Sequence, residues 1–330
     1  MSKTKWAILG CGRIAGKFAA DLQLVTDAEL FAVASRDTDK AKAFAAQYPA
    51  QHVYGSYEAL VSNPEIDVIY VATPHSHHHE HTLLCLRHNK AVLCEKAFAI
   101  NGAQVREMVT EARSRKVFLM EAMWTKFLPH YNKVQEMISD GKLGTLQSVQ
   151  INFGFLPPQP PAQRIFDPAL GGGTLLDIGI YNVFLVLSIL GKPDQIQAMM
   201  TRASTGVDEQ LAVQFQYKKG AVAQLLSSFS SNLQTDANIA GNGGRIRLTS
   251  RFYEPSATIE FYPERIDSLQ IIPVVKEPGW GYHYQVRHVQ ECLRQGLTES
   301  PVMTHQDSMD LMETMDRIRA EVGLVYPADA

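Results

Sequence analysis

Short, continuous apolar runs alternate with stretches of helical period along the first third of the chain. "KWAILG" reads as a strand and leads into a helical pattern through Phe18 and Leu22; "ELFAVAS" is a second strand, followed by the Ala-rich helix "DKAKAFAAQY". "VIYVATP" and "AVLCEK" repeat the unit, each with a helix behind it, and "KVFLMEA" closes the series. Strands that are apolar at every position are covered on both faces, and strands separated by helices run parallel. Residues 1–123 are therefore expected to form a doubly wound α/β domain.

The period changes at Trp124. A helix, "HYNKVQEMISDGKLG", leads into "LQSVQINFGF", whose alternation suits a strand with one covered face. The Pro-rich stretch 157–172 is too long to be a mere connector and is a candidate lid. The apolar helix "TLLDIGIYNVFLVLSIL" follows, and then "QIQAMM", "EQLAVQFQY", "AVAQLLSSFS", "RIRLTS" and "ATIEFY" succeed one another without long helices. That order predicts an α+β domain over 124–330 with an open antiparallel sheet. Two helices, Tyr284–Leu293 and Ser308–Val322, end the chain; Met309, Met312 and Met315 have helical spacing within the second and are read as core.

Composition narrows the function classes. With 330 residues, 45% hydrophobic and 20% charged, the chain has the profile of a soluble globular protein of two domains. A net charge of −3 leaves no basic footprint for nucleic acid or an anionic membrane. The start "MSKTKWAILG" has no apolar signal core, and no apolar run is judged to reach membrane-spanning length. Cys11, Cys85, Cys94 and Cys292 are scattered and include no C-x-x-C pair, as expected of buried thiols in a reducing, cytoplasmic compartment.

"AILGCGRIAG" sets Gly10, Gly12 and Ala15 in G-x-G-x-x-G/A spacing between a strand and a helix. The first glycine permits the tight turn, the second lets a pyrophosphate approach the backbone, and the small third residue lets helix and strand pack closely. This is a Rossmann dinucleotide site, with Arg13 and Ile14 in its loop. At the end of the second strand, where NAD sites hold the ribose 2′-hydroxyl with an acid, stand Ser35 and Arg36, which suit a 2′-phosphate. NADP is expected; NAD is the alternative, with Asp37 on the ribose and Arg36 a solvated surface residue.

Five of the seven residues from His75 to His81 are histidines. They begin where "VIYVATP" ends, the edge at which open parallel sheets bind ligands, so Thr73, Pro74 and either His75 or His78 are candidate cofactor contacts. On a helix His77 and His81 share a face, yet zinc would need further ligands, and neither H-E-x-x-H nor a nearby cysteine supplies them. No metal is expected; the alternative to cofactor contact is a solvated helix start. Lys96, in "VLCEKAFA", lies past the next strand end; it can sit near a nicotinamide or be an ordinary surface lysine. In "GGGTLLDIGIY", Asp177 and Tyr181 are four apart and share a helix face; Tyr181 is either a core aromatic or, with a cation beside it, a general acid/base.

Together these segments resemble the Gfo/Idh/MocA oxidoreductase family, and within it the branch of dimeric dihydrodiol dehydrogenases and NADP-dependent D-xylose dehydrogenases. The likeness runs from "WAILGCGRIAGKFA" through "YGSYEALVSNPEIDVIYVATPHSHH", "AVLCEK", "VREMVTEARSRKVFLMEAMWTKFLP" and "GGGTLLDIGIY" to "YQVRHVQECLRQGLTESPV". The resemblance implies that Glu95 and Lys96 belong to the family's E-K-P motif, with Lys96 in the catalytic site and Ala97 in place of the proline. It implies Tyr181 as general acid/base, at the position many relatives fill with the His of D-x-G-x-H, and Asp177 as a substrate-fixing residue. His75 and His78 would line the cofactor, and Trp124, Phe153 and Trp280 the substrate pocket; His77, His79 and His81 match nothing in the family pattern.

The expected function is NADP-dependent hydride transfer to or from a hydroxyl-bearing carbon of a cyclic polyol, either an aldose at C1 or a trans-dihydrodiol, by a homodimer joined through its open sheet face. Two other classes stay open: a non-catalytic NAD(P)-binding regulator of sugar metabolism and an NAD-dependent glycosidase.

Overall fold

The structure is a computed structural model that describes residues 3–158, 163–263 and 268–329. Residues 159–162 of the expected lid therefore lie outside the described residues. The chain divides into two compact units, Met1–Lys126 with Glu277–Met309, and Phe127–Lys276 with Asp310–Ala330. The change of pattern at Trp124 suggests one domain over 124–330, whereas residues 124–126 and 277–309 group with the first unit.

The reason lies in one buried acid. The first unit holds helix α1 (Arg13–Leu22), in which Asp21 is 1% exposed. Its carboxylate accepts from the backbone N–H groups of Trp280 at 2.8 Å and Tyr282 at 2.7 Å. These are donors at the start of α9 (Tyr282–Arg294), so α1 satisfies the open end of a helix some 260 residues later. No local pattern announces that pairing.

The sheet of this unit has six parallel strands in the order β3-β2-β1-β4-β5-β6: β1 (Thr4–Leu9), β2 (Ala28–Ala34), β3 (His52–Tyr54), β4 (Val68–Val71), β5 (Ala91–Glu95) and β6 (Leu119–Ala122). The chain winds outward from β1 in one direction and then from β4 in the other, which opens a crevice at their C-terminal ends. Helices α2 (Thr38–Gln47), α4 (His78–Arg87) and α5 (Gly102–Arg115) make crossovers, as the sequence pattern requires. β3 and the five-residue α3 (Tyr57–Val61) are too short for a periodic signal; Ser56 starts α3 by accepting from the Ala59 N–H at 3.1 Å.

The second unit is built on an eight-stranded sheet, order β14-β13-β12-β11-β7-β10-β9-β8. Its strands are β7 (Leu146–Gly154), β8 (Gln195–Arg202), β9 (Asp208–Gln216), β10 (Val222–Ser228), β11 (Asp236–Gly241), β12 (Gly244–Thr249), β13 (Thr258–Pro263) and β14 (Gln270–Ile272). Every pair is antiparallel except β7 with β10, so the sheet is mixed rather than purely antiparallel. The connection out of β7 contains helix α8 (Ile180–Leu190), and a helical crossover is what permits a parallel neighbour. β11, "DANIAG", escapes a sequence reading because Asp, Asn and Gly are poor strand formers; pairing on both sides imposes the conformation.

One face of this sheet is covered, as β9 shows: Leu211, Val213 and Phe215 are buried while Ala212, Gln214 and Gln216 are exposed. α8 packs on β7 and β10, and the Asn182 side-chain amide donates to the Leu226 carbonyl at 3.1 Å and the Ser227 hydroxyl at 3.2 Å. The stretch Pro168–Leu190, a short helical turn and α8 with its preceding π turn separated by Gly171–Gly173, is longer and more apolar than the sequence pattern suggests, enough by length and composition to match a bilayer; 72% of its most apolar window is buried, as in the core of a globular unit. α6 (Pro129–Ser139) and α10 (His305–Val322) add two more helices, with Met312 and Met315 buried as expected and Met309 half-buried.

Candidate active site

The crevice of the first unit has the shape a dinucleotide needs. Gly10 has φ +102°, and a Cβ there would lie 2.9 Å from both the Ala72 carbonyl oxygen and Thr73 Cγ2. Only glycine fits between the two strand ends. Gly12 is the N-cap of α1 and brings no side-chain cap, so the first N–H groups of the helix face the crevice unclaimed by a capping side chain among the described residues. An open helix N-terminus behind a glycine cradle, followed by Arg13, fits a pyrophosphate.

At the β2 exit Ser35 is buried and Arg36 is exposed. The Asp37 carboxylate accepts from the N–H groups of Asp39 at 3.0 Å and Lys40 at 3.1 Å, which makes it the cap of α2. Its own N–H donates to the Ser35 hydroxyl at 3.2 Å. The acid next to Arg36 is thus committed to starting a helix.

The histidines separate into distinct surroundings. His75 is buried, with its ring edge to that of His78 at 5.7 Å. His78 is fully buried, with Nδ1 2.7 Å from the Ala97 carbonyl oxygen and Nε2 2.8 Å from the Thr73 carbonyl oxygen. It ties the turn after Lys96 to the exit of β4. His79 reaches outward to Glu107 at 2.9 Å, and His77 lies 3.5 Å from Glu80. Among the described residues no group of three or more His, Cys, Asp or Glu is arranged to hold a metal ion.

Lys96 follows β5. Its backbone N–H donates to the Glu95 carboxylate at 3.2 Å, and the opposite carboxylate oxygen accepts a short hydrogen bond from the Tyr70 hydroxyl. Tyr70 is fully buried and stacked on Phe18 at 3.8 Å. The Lys96–Ala97 peptide is cis. The residues proposed for the cofactor side, from Gly10 to Lys96, therefore share one edge of one sheet.

Asp177, Tyr181 and Phe153 lie in the second unit. Leu175–Gly179 is a π-helical turn that runs directly into α8, so the segment bearing Asp177 is wound more widely than the expected α-helix. Asp177 pairs with Arg164 at 3.2 Å, from the short helix α7 (Gln163–Phe166) in the described part of the lid segment. Tyr181 is 6% exposed; its ring lies 4.9 Å from that of Tyr253 and 6.0 Å from that of Phe153, and Phe153 stacks on Tyr253 at 4.5 Å. Phe153 and Tyr181, both candidate substrate contacts, are thus neighbours within one aromatic cluster. Gly179 allows the close approach: a Cβ there would lie 3.0 Å from the Ser227 hydroxyl.

Trp124 and Trp280 both fall in the first unit. Trp124 is buried and stacked on Tyr282 at 4.8 Å. Trp280 is half-exposed, with the Lys17 ammonium over its ring at 4.0 Å. Sequence reasoning missed Tyr70, Arg164, Asp208 and Tyr253. A tyrosine inside an apolar strand and a tyrosine in a loop carry no local signal; the Arg164–Asp177 pair, 13 residues apart, follows from the folding of the lid segment.

Fold and crevice define a dinucleotide-binding protein of the oxidoreductase type. Residues 4–123 match the oxidoreductase family with an NAD-binding Rossmann fold, and residues 131–247 match the GFO/IDH/MocA C-terminal domain; the chain belongs to the Gfo/Idh/MocA family. It is 37% identical to the trans-1,2-dihydrobenzene-1,2-diol dehydrogenase of Sus scrofa over 332 residues, and 37% identical to that of Homo sapiens over 333, in each case covering 98% of both chains. Among solved structures it resembles an aldose-aldose oxidoreductase from Caulobacter crescentus (TM-score 0.88, 24% identity, 97% of this chain and 98% of that one). A 3-ketoreductase from Actinomadura kijaniata, solved with NADP, is similar at TM-score 0.86, 24% identity and the same coverage. The chain is an oxidoreductase acting on CH–OH groups.

Proposed function

We propose that this oxidoreductase uses NADP(H) and acts on a cyclic polyol, either a trans-dihydrodiol or an aldose at C1. The observation that carries the reading is the presence in one chain of Glu95-Lys96 at the β5 exit and of Asp177-x-Gly179-x-Tyr181 running into α8, in a chain alike over 98% of its length to dihydrodiol dehydrogenases. When bound, the cofactor supplies the hydride acceptor or donor at C4 of its nicotinamide. In the oxidative direction Tyr181, as phenolate, takes the substrate hydroxyl proton while the hydrogen on the same carbon departs as hydride. Lys96 contributes the positive charge that favours a phenolate and an oxyanion. Asp177, steadied by Arg164, accepts a neighbouring substrate hydroxyl, and the aromatic faces of Phe153 and Tyr253 pack on the ring.

The cofactor preference rests on Arg36. With Asp37 occupied as the α2 cap, the guanidinium is the group at the β2 exit suited to a 2′-phosphate. The open sheet face, with Met199 77% exposed and Val222 46% exposed between Gln150, Gln214 and Gln224, supports a homodimer through that surface, which light scattering would test. The four cysteines are free and buried, which agrees with a cytoplasmic home. The deciding experiment is a panel of sugars and trans-diols with NADP⁺ and NAD⁺, following absorbance of the reduced cofactor. Turnover of a diol or aldose with NADP⁺ is expected. Inertness with every substrate would favour the cofactor-binding regulator, and copurified stoichiometric NAD with sugar release would favour the glycosidase.

A further inference from the structure

Tyr70 is the one side chain of β4, "VIYV", that carries a polar atom, in a strand buried at every position. A tyrosine sealed into a sheet must find a protein partner for its hydroxyl. Topology supplies it. β4 and β5 are parallel neighbours with Tyr70 opposite Leu93, so Glu95, two positions further along β5, rises from the same face. The Tyr70 hydroxyl donates to one oxygen of the Glu95 carboxylate, and the other oxygen accepts the backbone N–H of Lys96 at 3.2 Å. Glu95 is 6% exposed, and a buried carboxylate is tolerated where donors meet it.

The tyrosine is itself held. Its ring stacks on Phe18 of α1 at 3.8 Å and 13°. Phe18 is fully buried, 5.5 Å from the ring of Trp6 in β1 and 6.3 Å from that of Tyr282 at the start of α9. Turning the Tyr70 ring about its own axis does not move the hydroxyl oxygen, which lies on that axis. Displacing that oxygen would mean shifting the ring against α1, the helix whose open N-terminus faces the crevice.

We propose that Tyr70 is a positioning residue for hydride transfer: through Glu95 it fixes the Lys96 backbone at the β5 exit, and so the point from which the ammonium reaches the substrate oxygen. The inference rests on the reading of Lys96 given above. A lysine is a point charge on a flexible four-carbon stem, so the origin of the stem must be fixed if the charge is to meet a developing oxyanion. A hydrogen bond on the N–H of Lys96 itself does this within two bonds of the stem. Tyr70 is fully buried and acts through Glu95 and Lys96, not on the substrate.

The test begins with Tyr70→Phe, which removes one oxygen and keeps the stack. The purified full-length protein is assayed with NADP⁺ against the panel of sugars and trans-diols, led by D-xylose and trans-1,2-dihydrobenzene-1,2-diol. NADPH binding is followed by calorimetry. kcat should fall about tenfold, with KM and the NADPH Kd within about twofold of wild type. In a Lys96→Ala background the same substitution should cost nothing further, because residues acting as a unit are not additive. Glu95→Gln, whose amide can accept from Lys96 and donate to Tyr70, should retain more activity than Glu95→Ala. Hydrogen exchange at the Lys96 N–H, read by NMR, should quicken in Tyr70→Phe. Unchanged kcat in Tyr70→Phe would overturn the proposal. So would an equal loss in the wild-type and Lys96→Ala backgrounds, or a loss of NADPH affinity matching the loss of kcat. A wild type inert toward the whole panel would remove the catalytic reading of Lys96, whereas unchanged exchange at its N–H would remove the anchor whatever the turnover.

Discussion

Glu121 offers a quantitative test of how the cofactor unit is built. It lies in β6 opposite Cys94 and next to Ala122, which pairs with Glu95, and it is 1% exposed. Burial, with neither carboxylate oxygen finding a hydrogen-bond partner among the described residues, pushes its carboxyl up from 4.5 to about 7, with Glu95 adding to the rise and Lys126 opposing it. In the unfolded chain the group ionises normally, so between pH 4.5 and 7 the folded state holds a proton that the unfolded state has released. Stability falls with rising pH across that window. At 1.36 kcal/mol per pH unit the loss amounts to about 3 kcal/mol, complete above pH 7.

The wild-type profile alone will not reveal this. Burial holds His81 and His130 down near 4, so each contributes stability that rises as pH climbs from about 4 through 6.5, opposite in sign to Glu121. Asp208, raised to about 6, adds to the Glu121 trend. The difference between Glu121→Gln and wild type cancels these shared terms. Any fixed penalty for burying the new amide offsets that difference equally at every pH, so the slope is diagnostic and the intercept is not. Urea unfolding of the cofactor-free protein, followed by circular dichroism at half-unit steps from pH 4.5 to 8, should show the Gln variant gaining on wild type by about 3 kcal/mol and then levelling. Parallel profiles within about 0.5 kcal/mol would refute the burial argument.

Two further outcomes bear on the chemistry. Tyr181→Phe keeps the ring against Phe153 and Tyr253 and should bind NADPH normally while kcat falls by about 10²–10⁴; Lys96→Ala should do similar damage, the double variant should be little worse, and near-normal turnover by Tyr181→Phe would remove it from the mechanism. Exhaustive chelation should leave turnover unchanged; one zinc per chain by elemental analysis, lost on His77→Ala with His81→Ala, would reverse that expectation.

The first unit was legible because its signals are local. Apolar runs, a glycine triplet and strand-end residues each sit within a few positions of one another, and the doubly wound sheet follows from them. What escaped is what depends on distance: Asp21 receiving the start of α9, β11 forming from Asp-Ala-Asn because β7 and β12 pair with it, and the parallel β7–β10 contact. The site divides along the same line. Lys96, Asp177 and Tyr181 could be named from short motifs. Tyr253 could not, since a tyrosine after a strand joins Phe153 and Tyr181 only once the second unit has folded. Glu95 stood in plain view beside Lys96, but its partner Tyr70 gives it meaning only in three dimensions.

Each candidate reactive side chain is carried by a segment that a buried carboxylate holds from behind. Glu95 takes the Tyr70 hydroxyl on one oxygen and the Lys96 N–H on the other, so the backbone bearing Lys96 is fixed by the strand beside it. In the second unit Asp208, fully buried, accepts from the Thr174 hydroxyl at 2.6 Å and the Leu175 N–H at 2.7 Å, ahead of Asp177 and Tyr181. A Cβ on Gly173 would lie 2.1 Å from Asp208 Oδ1, which explains the glycine run, and the Tyr326 hydroxyl donates to the Gly172 carbonyl at 2.7 Å from the far end of the chain. Hydrogen bonds to carboxylates are worth about 1.5–3 kcal/mol each, enough for two to hold a turn against thermal opening. Proton transfer demands placement to within a fraction of an ångström, and these anchors supply it inside each unit separately. Two motifs more than eighty residues apart are therefore each held in shape by their own unit, without help from the other.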